Sequence, residues 1–204
     1  MHNKQFCIKK PILFCPFCRK KEEALMKKQN CTTNIFVKEC IAQALSKLIE
    51  EKPLADIKIT ELARIAGVSR MTYYRNFNSK EDIFSAYFDI MFTRYDEAEG
   101  YLQPFGIYHD KKHMIHYFRF VLEYKDFLRA VINHGYGNIF LTTMTDYIVK
   151  KWLKNKSDQT EYYTLCAFSG SLYSLYVSWE KNNFRETPEK MAEILLKIHG
   201  NGKL

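Results

Sequence analysis

The 204-residue chain contains no run of eighteen or more apolar residues, so nothing in it reads as a membrane-spanning helix. The apolar patch PILFCPF near the start is short and lacks a small-residue cleavage site, so a secretory signal is not supported either. These two absences place the chain in the cytoplasm, with no membrane among its partners. Convincing strand pairs, internal repeats and low-complexity tracts are also missing. No nucleophile, base and orienting residue recur at a recognisable spacing, which leaves an enzyme with little support, and nothing in the pattern calls for a cofactor. What remains is an ordinary globular composition, 47% hydrophobic and 26% charged, long enough to bury a core without disulfide or metal.

Acidic charge is scarce in the first eighty residues. Residues 1–25 carry six Lys/Arg and two Glu, residues 26–80 carry ten basic and five acidic groups, and residues 81–204 carry fifteen and sixteen. The net +8 is therefore concentrated at one end, as expected of a polyanion-facing head on a differently employed body.

Helical periodicity dominates from Asn34 onward. Ile35, Phe36, Ile41, Ala44, Leu45, Leu48 and Ile49 form one stripe, with Thr32 and Thr33 as cap candidates and Lys52-Pro53 as the stop. A long helix is expected from Ser79 to about Leu102, carrying Phe84, Phe88, Met91 and Tyr95, and closed by a loop around Gln103-Pro104-Phe105-Gly106. Further helices are expected over roughly 110–123, 125–133, 138–154, 159–182 and 188–199, punctuated by Gly135-Tyr136-Gly137 and Thr187-Pro188. The fold class is all-α.

The stretch ITELARIAGVSRMTYYRNF has a mechanical meaning. Two short helices cross steeply only where the contact residue is small, as at Ala63 and Ala66, and Gly67 frees the turn between them. Thr60 is expected to cap the first helix and Ser69 the second. Leu62, Val68, Tyr73 and Phe77 supply the core beneath, which turns Arg70, Met71, Thr72, Tyr74, Arg75 and Asn76 outward. The pattern is a helix-turn-helix, over about 58–77, whose second helix carries donors suited to base edges and phosphates.

Those residues, with Ser79-Lys80-Glu81-Asp82 opening the next helix, resemble the TetR family of bacterial transcriptional regulators over about residues 34–90. The resemblance implies a DNA-binding head at 26–80 and a larger helical ligand-binding and dimerisation domain at 81–204. It also implies that Arg70, Met71 and Thr72 meet bases or the sugar-phosphate edge, that the Tyr74 hydroxyl meets a phosphate, and that Lys80 grips the DNA backbone, with Thr60 a further phosphate candidate. Met71 is larger than the small residue common at its position, and Tyr73 stands where Leu is common, so base preference stays open.

Towards the C-terminus, CAFSGSLYSLYVSWEKNNFRETPEKMAEILL resembles one subgroup of the same family. In that subgroup a Phe-x-x-Gly helix runs to a Trp and a Thr-Pro-Glu segment opens the last helix. Here these are Phe168 with Gly170 one residue early, Trp179 and Thr187-Pro188-Glu189. Ala167, Gly170, Ser171, Ser174 and Ser178 share one side of the helix, which suits close approach of another helix, either within the chain or from a symmetry mate. Aromatic residues are dense from 84 to 180. Such stripes build cores, yet so many tyrosines suggest a partly polar cavity, for which Phe88, Phe92, Tyr117, Tyr147, Tyr173 and Tyr176 are candidates. His109, His113 and His116 fall at i, i+4 and i+7, a spacing that suits either a chelated metal or three exposed histidines on a solvated helix.

The segment FCPFCRKKEEALM, Phe14 to Met26, looks like a glutaredoxin redox site, but it lacks the strand before it and the βαβ scaffold after it. A zinc knuckle from Cys7, Cys15, Cys18 and Cys31 would have irregular spacing. Lys21-Glu22-Glu23 can be encoded by a ribosome-binding purine run a short distance before Met26, so residues 1–25 are expected to be a leader or a disordered extension. The whole chain then reads as a ligand-responsive regulator, a repressor that binds a palindromic operator as a homodimer and answers to a small-molecule effector. The alternatives are an activator working with a protein co-factor, a role known in the resembling subgroup, and a metal-responsive sensor using the three histidines or the N-terminal cysteines.

Overall fold

The computed structural model describes residues 31–99 and 110–199, and every described element is helical. Residues 1–30, which hold the expected leader with Cys7, Cys15 and Cys18, lie outside the described residues, as do His109 and the loop around Gln103. Contacts divide the chain at Asn34, and from Ile35 to Leu204 it forms one compact unit.

Helix α1, Cys31–Glu51, turns Ile41, Ala42, Leu45, Leu48 and Ile49 into the core. It starts upstream of the expected position and takes in Thr32 and Thr33, the expected caps. Pro53 ends the helix and leads into a single tight turn at Leu54–Asp56, which buries Leu54 and, after it, Ile57.

Helices α2, Ile59–Ala66, and α3, Arg70–Asn76, form the crossing pair. Gly67 stops α2 with φ 70°. Its N–H donates to the Arg64 carbonyl at 3.3 Å and that of Val68 to Ala63 at 2.9 Å, the double closure that a left-handed residue after a helix permits. The expectation that Thr60 caps α2 is corrected: the boundary residue is Lys58, which makes no side-chain cap bond, and Thr60 lies exposed in the first turn. The Lys58 carbonyl already accepts from Glu61 and Leu62 at 3.0 Å each, so the helix begins two residues earlier than a cap at the threonine would place it. Ser69 does cap α3, its hydroxyl accepting the Thr72 N–H at 3.0 Å.

Helix α4, Glu81–Glu99, runs from the crossing pair into the body. The body adds α5 (Lys111–Glu123), α6 (Lys125–Val131), α7 (Gly137–Trp152), α8 (Gln159–Lys181) and α9 (Pro188–His199). Between α6 and α7, His134 and Gly135 leave helical geometry, Gly135 with φ 90°, and the chain bends there. At Gly137, where α7 meets α8, a Cβ would strike the Tyr173 hydroxyl, so a larger residue there would require the Tyr173 ring to shift. Helix α5 packs on α9, α7 on α8, and α4 on α7. One buried cluster is continuous from Ile41 in α1 to Leu195 in α9, through Phe84, Phe88, Phe118, Phe140 and Trp179.

Candidate nucleic-acid interface and ligand cavity

The outward face of α3 is built from the inside. Tyr73 and Phe77 are buried, their rings 5.9 Å apart, and they fix the rotation of this seven-residue helix. Rotation then decides the rest: Arg70, Met71, Tyr74 and Arg75 project into solvent, Met71 being 76% and Tyr74 60% exposed. Two large apolar groups left in water beside two guanidinium groups form a surface that is both basic and sticky. Thr72 is half-buried and shares a 2.9 Å hydrogen bond with the Ser69 hydroxyl, so these two side chains shape the helix start. Asn76, expected to reach outward, folds back and donates to the Thr72 carbonyl at 2.7 Å.

Lys80 stands beside this face with its ammonium turned inward. It donates to the carbonyls of Leu54, of Ala55 at 3.2 Å and of Ile57 at 3.0 Å, so it ties the tight turn after α1 to the start of α4. Sequence gave no sign of this, because the three acceptors are backbone groups more than twenty residues away. At the same place Ser79 and Asp82 cap α4 reciprocally: Asp82 N–H donates to Ser79 Oγ at 3.1 Å, and Asp82 Oδ2 accepts from Ser79 and Asn78 N–H at 3.0 and 3.1 Å.

The second feature is a cavity of about 40 Å3 in the body, walled by α4, α5, α7 and α8. Of the six residues expected to line a pocket, Phe92, Tyr117 and Tyr147 do so. Phe88, Tyr173 and Tyr176 do not. Phe88 packs on Phe127 and Phe140, Tyr176 is fully buried near Phe140, and Tyr173 closes against Gly137. Tyr95 and Trp152, not expected there, complete the aromatic wall with His113. The Tyr117 hydroxyl points at the Met144 sulfur, 3.4 Å away, and burial pushes its pKa far above the ordinary tyrosine value.

The histidine reading changes accordingly. His113 is not on a solvated face: it is 4% exposed, sits edge-on to Trp152 with ring centroids 5.5 Å apart, and faces the Asp110 carboxylate at 3.2 Å. Asp110 also caps α5 through the N–H groups of Lys112 and His113. His116 stacks on Tyr95 at 4.5 Å. Among the described residues no three His, Cys, Asp or Glu side chains converge as a metal site would require, and His109 lies outside them.

A crossed helix pair with a solvent-facing basic second helix, carried on a helical body, is the architecture of a helix-turn-helix transcriptional regulator. The family model described as bacterial regulatory proteins of the tetR family matches residues 41–87, and the one described as a transcriptional regulator C-terminal region matches residues 110–200. The chain belongs to the TetR family of transcriptional regulators, which are DNA-binding proteins and not enzymes. It is 40% identical over 58 residues to the HTH-type transcriptional regulator EthR of Mycobacterium tuberculosis, a match over 28% of this chain and 27% of that protein. The chain thus spans about a quarter of the length of the curated relatives it matches. Among solved structures, it is similar to the fatty acid degradation regulator FadR from Bacillus halodurans, with TM-score 0.49, 16% identity, and 87% of this chain and 98% of that one covered. It is also similar to FadR from Bacillus subtilis in complex with stearoyl-CoA, with TM-score 0.47, 17% identity, and 81% and 99% covered. No helix among the described residues is long and apolar enough to cross a membrane.

Proposed function

We propose that this regulator is a repressor that binds a palindromic operator as a homodimer and releases it when a small molecule occupies the cavity of the body. In this reading residues 26–80 are the reading head and residues 81–204 the effector and dimerisation domain, acting in the cytoplasm. The observation that carries the reading is the exposed side of α3, where Arg70, Met71, Tyr74 and Arg75 stand in solvent at the end of a rigid core. Arg70 suits a bidentate bond to guanine, and Tyr74 and Arg75 suit phosphates.

Support for the homodimer comes from α8, where Tyr163, Ala167, Ser174 and Ser178 share one exposed side, with Ile198 of α9 60% exposed. A face of small and apolar residues suits a four-helix contact with a second copy. Support for ligand control comes from α4, which begins beside the tight turn held by Lys80 and carries Phe92 and Tyr95 into the cavity wall. A ligand that binds one orientation of α4 better than another shifts the spacing of the two recognition helices away from the roughly 34 Å between successive major grooves.

Fluorescence anisotropy of the full chain on the DNA upstream of its own coding region, beside a scrambled duplex and across a salt series, tests the reading. Tight, sequence-dependent binding that weakens steeply with salt is expected. Equal and weak binding to both duplexes, and to the flanking DNA of neighbouring genes, would overturn it.

A further inference from the structure

The methionines of the chain divide sharply by access. Met91, Met114, Met144 and Met191 are between 0% and 4% exposed, whereas Met71 is 76% exposed. Met1 and Met26 lie outside the described residues. Among the described residues, the one thioether open to solvent therefore stands on the first turn of α3, between Arg70 and Thr72 of the reading face. Its side chain does not hold the helix. The rotation of α3 is fixed by the buried rings of Tyr73 and Phe77, so a chemical change at position 71 alters what the helix presents and not where it lies.

A thioether has one chemistry that the other exposed side chains of α3 lack. Two-electron oxidants convert it to the sulfoxide, which is polar and chiral where the thioether was apolar, and the change is reversible by enzymes. With hypochlorous acid the sulfur lone pair displaces hydroxide from chlorine, and water then replaces chlorine on sulfur. The products are the sulfoxide, chloride and a proton, with the electron pair passing from sulfur to chlorine. Access of the oxidant to sulfur decides which methionine reacts, and here it separates Met71 from the four that the core depends on. The Cys40 thiol of α1 is a poor competitor. It is half-buried, and burial first and Glu39 second raise its pKa, which keeps the reactive thiolate scarce.

We propose that Met71 is an oxidation site through which a hypohalous acid lowers operator affinity while the fold stays intact. The inference rests on the reading of α3 as the helix that meets the operator. The sulfoxide oxygen is an acceptor with no proton to give, and the major groove offers it mostly other acceptors and the thymine methyl. Docking then strips water from a polar group and gives little back. Because the site lies on the surface that DNA covers, oxidation takes the free protein and stops its return, and bound operator should shield the sulfur. The same reaction at Met91, Met114, Met144 or Met191 would instead place a polar group in the core, and those four are the ones out of reach.

The test treats the full chain with hypochlorous acid in small molar excess and then with dithiothreitol, which reverses disulfides and sulfenic acids but leaves a sulfoxide. Peptide mass spectrometry should find an added oxygen at Met71 before any at the four buried methionines, and less of it when the duplex upstream of the coding region is present. The urea midpoint should not move. Affinity for that duplex should fall about ten-fold or more, and the two methionine sulfoxide reductases, one for each epimer, should restore it. Met71→Leu, which keeps an apolar side chain without sulfur, should bind equally before and after treatment. Met71→Gln should bind, untreated, like the oxidised natural chain. Reductase rescue reads the same point in the natural chain should Met71→Leu bind too weakly to follow. Oxidation of the four buried methionines alongside Met71, an equal loss in Met71→Leu, or unchanged affinity with Met71 oxidised would each overturn the proposal. If the untreated chain shows no sequence-dependent binding, the regulatory reading falls and this inference with it, whereas binding that survives oxidation of Met71 removes the inference alone.

Discussion

The Glu39 carboxylate of α1 and the Arg94 guanidinium of α4 form an ion pair almost entirely shielded from water, with side-chain exposures of 8% and 17%. Tyr124, at the junction of α5 and α6, adds a side-chain hydrogen bond to the same guanidinium. Head helix, connecting helix and body therefore meet at one charged joint, and breaking one half of it strands a buried charge. Arg94→Met should cost about 3–5 kcal/mol in urea unfolding, while Glu39→Leu combined with Arg94→Met should cost less than Arg94→Met alone. A double variant as unstable as the sum of the two singles would mean that the pair acts only as separate packing residues.

Lys80 and Arg75 separate two roles that the sequence assigns to both. Lys80 is turned towards the carbonyls of Leu54, Ala55 and Ile57, and Arg75 is exposed on α3. Lys80→Met should lower stability by about 1–3 kcal/mol, because three carbonyls lose a charged donor, and should leave the salt dependence of operator binding unchanged. Arg75→Ala should do the reverse, lowering the slope of log K against log salt by about one with little change in stability. A slope reduced by about one in Lys80→Met would place that ammonium on a phosphate in the complex.

The cap of α4 gives the head a dependence on acid. The Ser79 hydroxyl, then the Ser79 and Asn78 N–H groups, hold the Asp82 carboxyl below the usual aspartate value. A carboxyl depressed on folding contributes stability that is fully present above its unfolded pKa, about 3.9, and is lost as pH falls through the folded value. The stability difference between the natural chain and Asp82→Asn should thus be constant from about pH 5 to 7 and shrink below about pH 4. Urea midpoints measured at several pH values read it directly, and a difference that grows on acidification would contradict the cap.

What sequence made legible were features whose partners are close in the chain. Gly67 ends α2 and Ser69 caps α3 because each acts on groups within a few residues, and Tyr73 and Phe77 alternate inward with the turn of one helix. Features closed by distant partners were not legible. His113 reads as a solvated histidine until Trp152 arrives from α7, and nothing near Lys80 in the chain announces the carbonyls of the turn at Leu54–Asp56 to which it donates. Periodicity placed Phe88 and Tyr95 on one stripe, but only packing against α7 decides that Phe88 is core while Tyr95, with Phe92, is cavity wall. Trp152 carried no signal, because a residue at a helix end faces the aromatic cluster only through the fold.

Met71 is the most exposed large apolar side chain among the described residues, at 76%, and it stands on the first turn of the reading helix beside Arg70. A thioether on a flexible stem cannot hydrogen-bond a base edge well, but it can cover the one apolar group that the major groove presents, the thymine 5-methyl. Replacing thymines of the operator one at a time with deoxyuridine removes only that methyl. At one or two positions per half-site the affinity should fall about 2–5-fold, the worth of one buried methyl. Met71→Ala should bind more weakly overall and no longer distinguish thymine from deoxyuridine at those positions. If natural and Met71→Ala proteins respond equally to every replacement, the methyl is read elsewhere and Met71 serves only to exclude water.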